Sequence, residues 1–145
     1  MFKNLLVPID GSPTAQLAVD KAIALARAFG STVTVLFVVD PYPFTGVGSD
    51  FAYGQTQYLS AAKAEATEAL SAARIALEAA GIKVNASLVE AHSTWRGILD
   101  AAESGAADLI VMGSHGRSGI EKLVLGSVAQ RVVSHAAVTV MVVRG

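Results

Sequence analysis

The residues best suited to chemistry form a glycine- and serine-rich segment over residues 113–127, which begins Gly-Ser-His-Gly-Arg-Ser-Gly and ends Gly-Ser. Glycine lets the backbone adopt positive φ and lets a ligand approach the main chain closely. Successive N–H groups in such a loop, with the N-terminus of a following helix, attract anions. We therefore expect phosphate to bind here, with Arg117 directed either at the phosphate or into water. The spacing matches neither a P-loop nor a Gly-x-Gly-x-x-Gly dinucleotide fingerprint.

Asp10 and three histidines are the other candidates for a site. Asp10 follows a short apolar run, where it is either a ligand for a ribose hydroxyl or Mg²⁺, or simply the residue that forms the turn before a helix. His92, His115 and His135 lie far apart on different predicted elements, so a metal site built from them is not expected. His115 alone lies in the glycine-rich segment, where it could accept a proton near neutral pH.

Two hydrophobic periods alternate along the chain and define the elements that must position these residues. Short apolar or β-branched runs predict strands, and apolar residues spaced three and four apart predict helices. The predicted strands cover residues 4–9, 32–39, 84–90, 108–112 and 138–143, and the predicted helices cover residues 13–29, 57–80, 94–104 and 127–135. Strands joined by helices run parallel. We therefore predict an α/β fold in a single domain over residues 1–145. Its sheet should be doubly wound, parallel and five-stranded, with helices on both faces. As in Rossmann-like folds, the ligand site should lie at the carboxyl ends of the strands.

The stretch over residues 40–55 shows no period and is predicted to be an irregular connection. It holds four of the nine aromatic residues. Long connections of this kind are often functional. Three interpretations stay open: a lid over a bound ligand, a contact between subunits, or a cover for the following helix.

Composition excludes several classes of protein. The 145 residues contain no cysteine, which excludes thiol catalysis, disulfides and zinc sites built on thiolates. The net charge of −1 gives no basic footprint for nucleic acid and no polybasic patch for a membrane. The apolar runs are much shorter than the roughly 20 residues that span a bilayer. We expect a cytoplasmic protein, without a signal peptide at Met1.

The glycine spacing and its context resemble the universal stress protein family. The segment fits Gly113-x2-Gly116-x9-Gly126-Ser127, which is similar to the family's nucleotide-binding signature G-x2-G-x9-G-(S/T). The opening Pro-Ile-Asp-Gly-Ser over residues 8–12 is equally typical, and the resemblance extends from Lys3 to Arg144. One departure is the absence of a proline before the last strand, which puts the start of that strand in doubt.

The resemblance implies ATP, with Mg²⁺, in a site at the strand ends. Five residues would hold the triphosphate and ribose: Gly113, Gly116, Gly126, Ser127 and Val128. Asp10 and Pro8 would contact the ribose and adenosine side, Val38 would meet adenine, and Met112 and Arg117 complete the implied site.

Three classes of function follow from these expectations. The first is an ATP-binding regulatory module of the stress response, the second a slow ATPase or nucleotidyl-transfer enzyme on the same fold, and the third an interaction protein without a ligand. We expect at most weak hydrolysis, since phosphoryl transfer needs a positioned base and no catalytic lysine of the Gly-Lys-Ser/Thr kind follows the glycines. The last strand, over residues 138–143, carries no charge on either face. If it is the edge strand, as the resemblance implies, it should pair with a second copy in a homodimer; if it is internal, its apolar character is simply burial.

Overall fold

The computed structural model describes residues 1–41, 48–115 and 125–145, without the side chains of residues 49–51. Strands and helices alternate through this part of the chain. They are β1 (Asn4–Pro8), α1 (Pro13–Phe29), β2 (Thr32–Val39), α2 (Ser49–Ala79), β3 (Val84–Glu90), α3 (Thr94–Ser104), β4 (Leu109–Gly113), α4 (Ser127–His135) and β5 (Thr139–Val143).

The strands form one sheet in the order β3-β2-β1-β4-β5, and every neighbouring pair is parallel. From β1 the chain builds outward through β2 to β3, then returns to place β4 on the other side of β1. The strand order therefore reverses between β1 and β4. This confirms the predicted doubly wound parallel α/β sheet, and it places β5 at one edge.

Alternate residues of each strand face two separate hydrophobic clusters. Leu5 and Val7 of β1 lie in the cluster covered by α1 and α2, while Leu6 lies in the cluster covered by α3 and α4. Strands buried on both faces have continuous apolar sequences, which is why β1 was predicted clearly from its residues. Burying each large apolar side chain stabilises the fold by about 1.5–3 kcal/mol.

Helix α1 begins and ends where its sequence predicts. The Ser12 hydroxyl accepts a hydrogen bond from the N–H of Ala15 at 3.2 Å, and Pro13 occupies the first helical position. Gly30 ends the helix with a left-handed backbone (φ 66°) and donates its N–H to the carbonyl of Ala26. The cap at Ser12 helps to fix the turn that carries Asp10.

Helix α2 begins earlier than predicted, at Ser49 rather than at residue 57. The prediction that residues 40–55 are irregular is therefore wrong for their second half. Of the side chains described over residues 52–57, only Gln55 is partly buried, so no apolar stripe marks these turns as helical. Residues 42–47, with the aromatics Tyr42 and Phe44, lie outside the described residues. No described helix combines the length and the apolar character needed to cross a bilayer.

Three strands differ from the prediction by one residue at one or both ends. Strand β1 ends at Pro8, β4 runs over Leu109–Gly113, and β5 begins at Thr139. Asp108 shows the reason for one of these shifts. Its carboxylate accepts the N–H groups of Lys3 and Asn4 at 2.8 and 3.0 Å, so it fastens the start of β1 instead of joining β4.

Candidate functional site

A cleft opens where the strand order reverses, at the carboxyl ends of β1 and β4. Ligands of doubly wound sheets bind at this point. The cleft has a volume of about 290 Å³, and we call it the glycine cleft. It brings together seven of the ten predicted site residues: Pro8, Asp10, Met112, Gly113, Gly126, Ser127 and Val128.

A second cleft adjoins the first on the side of β2 and α2. Its volume is about 540 Å³, and it contains Val38. Three carboxylates line it, those of Asp10, Asp40 and Glu65, so we call it the acidic cleft. The two clefts share several lining residues, among them Asp10 and Val128. Two of the predicted site residues, Gly116 and Arg117, lie outside the described residues.

The N-terminus of α4 gives the glycine cleft a positive end. Gly126 precedes the helix with an extended backbone and, as a glycine, brings no side chain of its own to cap the first turn. The first N–H groups of a helix have no acceptor within it, and the helix dipole places about half a positive charge there. Ser127, Val128 and Ala129 form this turn, and all three line the cleft. The arrangement suits an anion.

Gly113 is required by packing against α1. A Cβ atom at this position would lie 2.7 Å from the Thr14 hydroxyl and 2.9 Å from the Thr14 carbonyl carbon. Such distances are shorter than any real Cβ contact, and the second involves main chain that has no room to move. The Thr14 hydroxyl also donates a hydrogen bond to the carbonyl of His115. Helix α1 therefore holds the strand end in place.

The glycines of the cleft do not use the backbone freedom that the sequence argument attributed to them. Neither Gly113 nor Gly126 has positive φ; Gly126 adopts φ −64° and ψ 160°, which any residue can adopt. The N–H of Gly126 donates to the carbonyl of Ser114 at 2.7 Å, which joins the far end of the glycine segment to β4. At Gly113 the requirement is space beside Thr14 and not a positive φ.

Asp10 forms the predicted turn and also lines both clefts. One of its carboxylate oxygens accepts the N–H of Ser12 at 2.9 Å, around Gly11 with φ 82°, so Asp10 forms the turn before α1. The carboxyl group also lines both clefts. Because the turn uses only one oxygen, it fixes the carboxylate at the junction of the two clefts.

Ser114 and His115 form a hydrogen-bonded pair beside Gly113. The Ser114 side chain is fully buried, and its hydroxyl lies 2.9 Å from Nδ1 of the His115 ring. The hydroxyl therefore supports the histidine ring. The other histidines lie elsewhere: His92 is 3.5 Å from the Asp40 carboxylate, and His135 contacts Trp95. Within the described ranges, no three His, Asp or Glu side chains are grouped to hold a metal.

The sequence reasoning missed several lining or anchoring residues, of which three bear most on the geometry. Thr94 and Ile98 of α3 line both clefts, and Thr14 anchors the glycine segment. A topological signal was present for α3. A helix that follows a parallel strand must begin at the carboxyl edge of the sheet, so its first turn lies beside any ligand bound there.

The sequence profile of the universal stress protein family matches residues 1–144. The chain belongs to the universal stress protein family. It is 36% identical to a universal stress protein of Methanocaldococcus jannaschii over 144 residues, covering 99% of this chain and 83% of that protein. It also resembles the structure of UspA from Lactobacillus plantarum, with a TM-score of 0.88 at 27% identity, covering 99% of this chain and 98% of that one.

Some solved universal stress proteins of this fold hold adenine nucleotides. One is in complex with cAMP (TM-score 0.73, 24% identity, 99% and 97% covered), and one from Archaeoglobus fulgidus is in complex with dAMP (0.70, 24%, 99% and 98%). A family protein from Arabidopsis thaliana has AMP bound (0.72, 16%, 99% and 92%). At these identities the likeness establishes a shared fold.

Proposed function

We propose that this protein is an ATP-binding universal stress protein, a regulatory module of the cytoplasm whose single domain covers residues 1–145. The observation that carries the proposal is the pair of adjoining clefts at the reversal of strand order. One cleft has a helix N-terminus and the other has carboxylates and apolar side chains. A nucleotide has the same two ends, an anionic phosphate chain and an uncharged nucleoside.

The electrostatics of the two clefts orient the ligand. Phosphates are drawn to the N-terminus of α4 and repelled by the carboxylates of the acidic cleft. The triphosphate is therefore assigned to the glycine cleft, with five residues around it and the ribose: Gly113, Gly116, Gly126, Ser127 and Val128. The nucleoside is assigned to the acidic cleft, with adenine at Val38 and the ribose hydroxyls at Asp10 beside Pro8. Met112 and Arg117 complete the proposed set.

Magnesium fits this assignment as a companion of the phosphates. Mg²⁺ keeps several waters and is usually held by substrate phosphates with one or two carboxylates, so it needs no cage of protein ligands. Asp10 supplies a carboxylate at the junction of the clefts. When bound, the ion would neutralise phosphate charge near that carboxylate.

The composition of the glycine cleft supports binding rather than fast hydrolysis. Asp10 and His115 are the titratable side chains among its described lining residues, which include no lysine or arginine. We expect phosphate release from ATP far below the roughly 1–100 s⁻¹ of dedicated kinases. A rate in that range would instead place the protein among the enzymes of nucleotide chemistry.

Isothermal titration with ATP, ADP, AMP and adenosine tests the proposed ligand. We expect all four to bind, with affinity rising as phosphates are added, because each phosphate lies nearer to the N-terminus of α4. Mass spectrometry of nucleotide released from denatured protein gives an independent check. The absence of heat and of thermal stabilisation with every one of these ligands would contradict the proposal.

We also propose a homodimer through β5. Strand β5 pairs only with β4 within the described sheet, so one side of it has unpaired main-chain groups. The carbonyl of Val143 accepts the N–H of Ser114 at 2.8 Å, so the main-chain groups of Val143 and Met141 point toward β4. Those of Val140 and Val142 therefore point outward, to where an antiparallel copy of β5 would pair under two-fold symmetry.

A proline at an outward position tests this dimer. Val142→Pro removes an outward N–H without breaking the ladder with β4, so light scattering should show a monomer. Val142→Ala is the matched control, since it shortens the side chain but keeps the donor, and it should remain dimeric. A proline variant that stays dimeric would exclude β5 pairing, and a monomeric parent would exclude the dimer itself.

A further inference from the structure

An unusual cluster of side chains surrounds Trp95 where α3 lies beside α4. The guanidinium carbons of Arg96 and Arg131 lie 5.0 and 5.7 Å from the centre of the Trp95 ring. The ring of His135 lies 4.6 Å from the same centre, tilted by 32°. We call these four residues the tryptophan patch. Trp95 is partly buried against the core, while the other three side chains are exposed.

The two arginines of the patch have no acidic counterpart in the described structure. Three ion pairs are seen among the described residues, and none of them includes Arg96 or Arg131. Asp100, one helical turn after Arg96, does not pair with it either. The indole stabilises each cation by a cation–π interaction but neutralises neither charge. Two like charges are therefore held on one ring, which favours an external anion between or beside them.

We propose that the tryptophan patch docks a carboxylate-rich segment of a partner protein. Guanidinium groups bind carboxylates through paired, charge-assisted hydrogen bonds, and the indole beside them offers an apolar contact for the stem of a glutamate. Nucleic acid fits less well. Proteins that bind it through phosphates commonly make about 6–10 such contacts, whereas the patch has two arginines and one histidine on a chain of net charge −1.

The patch contains its own reporter, because Trp95 is the only tryptophan in the chain. Titrating the full-length protein with a hexaglutamate peptide should change the tryptophan emission saturably, and added NaCl should weaken the binding. Hexalysine, of opposite charge, should produce no saturable change. The measurement does not depend on nucleotide binding, so its failure and the failure of the proposed function are distinguishable.

Charge-matched variants locate the binding. Arg96→Gln and Arg131→Gln should each weaken hexaglutamate binding roughly ten-fold, as expected for losing charge-assisted hydrogen bonds, and the double variant should abolish it. Arg27→Gln, an exposed arginine on α1, removes the same charge elsewhere and should have no effect. Equal weakening by Arg27→Gln, or no saturable change in the parent protein, would overturn the proposal. Tighter binding of a thymidine hexanucleotide than of hexaglutamate would overturn it in favour of a nucleic-acid surface.

Discussion

The glycine cleft and the acidic cleft lie side by side and share lining residues, yet they differ in the source and sign of their charge. In the glycine cleft the positive end comes from main chain, through the first turn of α4, and the carboxylate beside it is that of Asp10, which the two clefts share. In the acidic cleft the charge is negative and comes from three side chains: Asp10 after β1, Asp40 after β2, and Glu65 in α2. Main-chain charge follows from the topology, because every helix after a parallel strand begins at this edge. Side-chain charge can change with each sequence.

The difference has an energetic consequence for any phosphate-bearing ligand. Two like charges 4 Å apart repel by about 4 kcal/mol at an effective dielectric constant of about 20. The N-terminus of a helix attracts an anion by about 0.3–2 kcal/mol. A phosphate that came this close to a carboxylate of the acidic cleft would therefore meet a repulsion larger than this attraction, which favours the proposed placement at α4 even though the acidic cleft is the roomier of the two.

Gly126→Val should produce the largest effect on ligand binding. Gly126 lines the glycine cleft directly before α4, and its backbone angles are ones that any residue adopts, so valine adds no backbone strain there and we expect its side chain to occupy the space proposed for phosphate. We expect ATP affinity to fall by at least about 100-fold, or about 2.8 kcal/mol. Titration calorimetry measures the loss, and far-UV circular dichroism should stay native.

A glycine on the exposed part of α2 provides the control for this substitution. A Cβ at Gly54 would meet nothing within 4 Å. Gly54→Ala should leave ATP affinity unchanged and raise stability by about 0.5–1 kcal/mol, as for glycine in a helix interior. If Gly126→Val keeps full ATP affinity, the phosphate does not approach this end of the cleft.

Gly113→Ala should act on stability before it acts on binding. The added methyl group would overlap Thr14, including its main chain, so the end of β4 and the first turn of α1 must separate. Overpacking of this kind costs about 1–3 kcal/mol, which urea unfolding measures. Thr14→Ala should not rescue the variant, because the overlap with the main-chain carbon remains. Native stability with lost ATP binding would show instead that Gly113 serves the ligand.

Gly113 and Gly126 show which part of the site could be predicted from the sequence and which part could not. Their spacing indicated both the cleft and the family. It predicted the same role for both glycines, because the sequence does not show which atoms lie beside each of them in the folded protein. The neighbour of Gly113 is Thr14, about 100 residues earlier in the chain, and only the folded structure brings them together. Similarly, periodicity revealed the buried elements well but missed the first turns of α2, where exposed residues follow no pattern.

Glu65→Gln should produce the smallest effect, and it tests the direction of the ligand most directly. Glu65 lines the acidic cleft from α2. If the phosphates lie in the glycine cleft, neutralising this carboxylate should change the affinities for ATP and adenosine by less than about two-fold, since screening weakens charges beyond the Debye length of about 8 Å. If the phosphates lie in the acidic cleft, relief of the repulsion should tighten ATP binding by far more than ten-fold and leave adenosine unchanged.

Glu68→Gln is the control, because Glu68 is nearly one turn further along α2, outside the acidic cleft, and carries the same charge. The ratio of ATP to adenosine affinity therefore distinguishes the two orientations, because only a phosphate near Glu65 makes that ratio depend on Glu65 and not on Glu68.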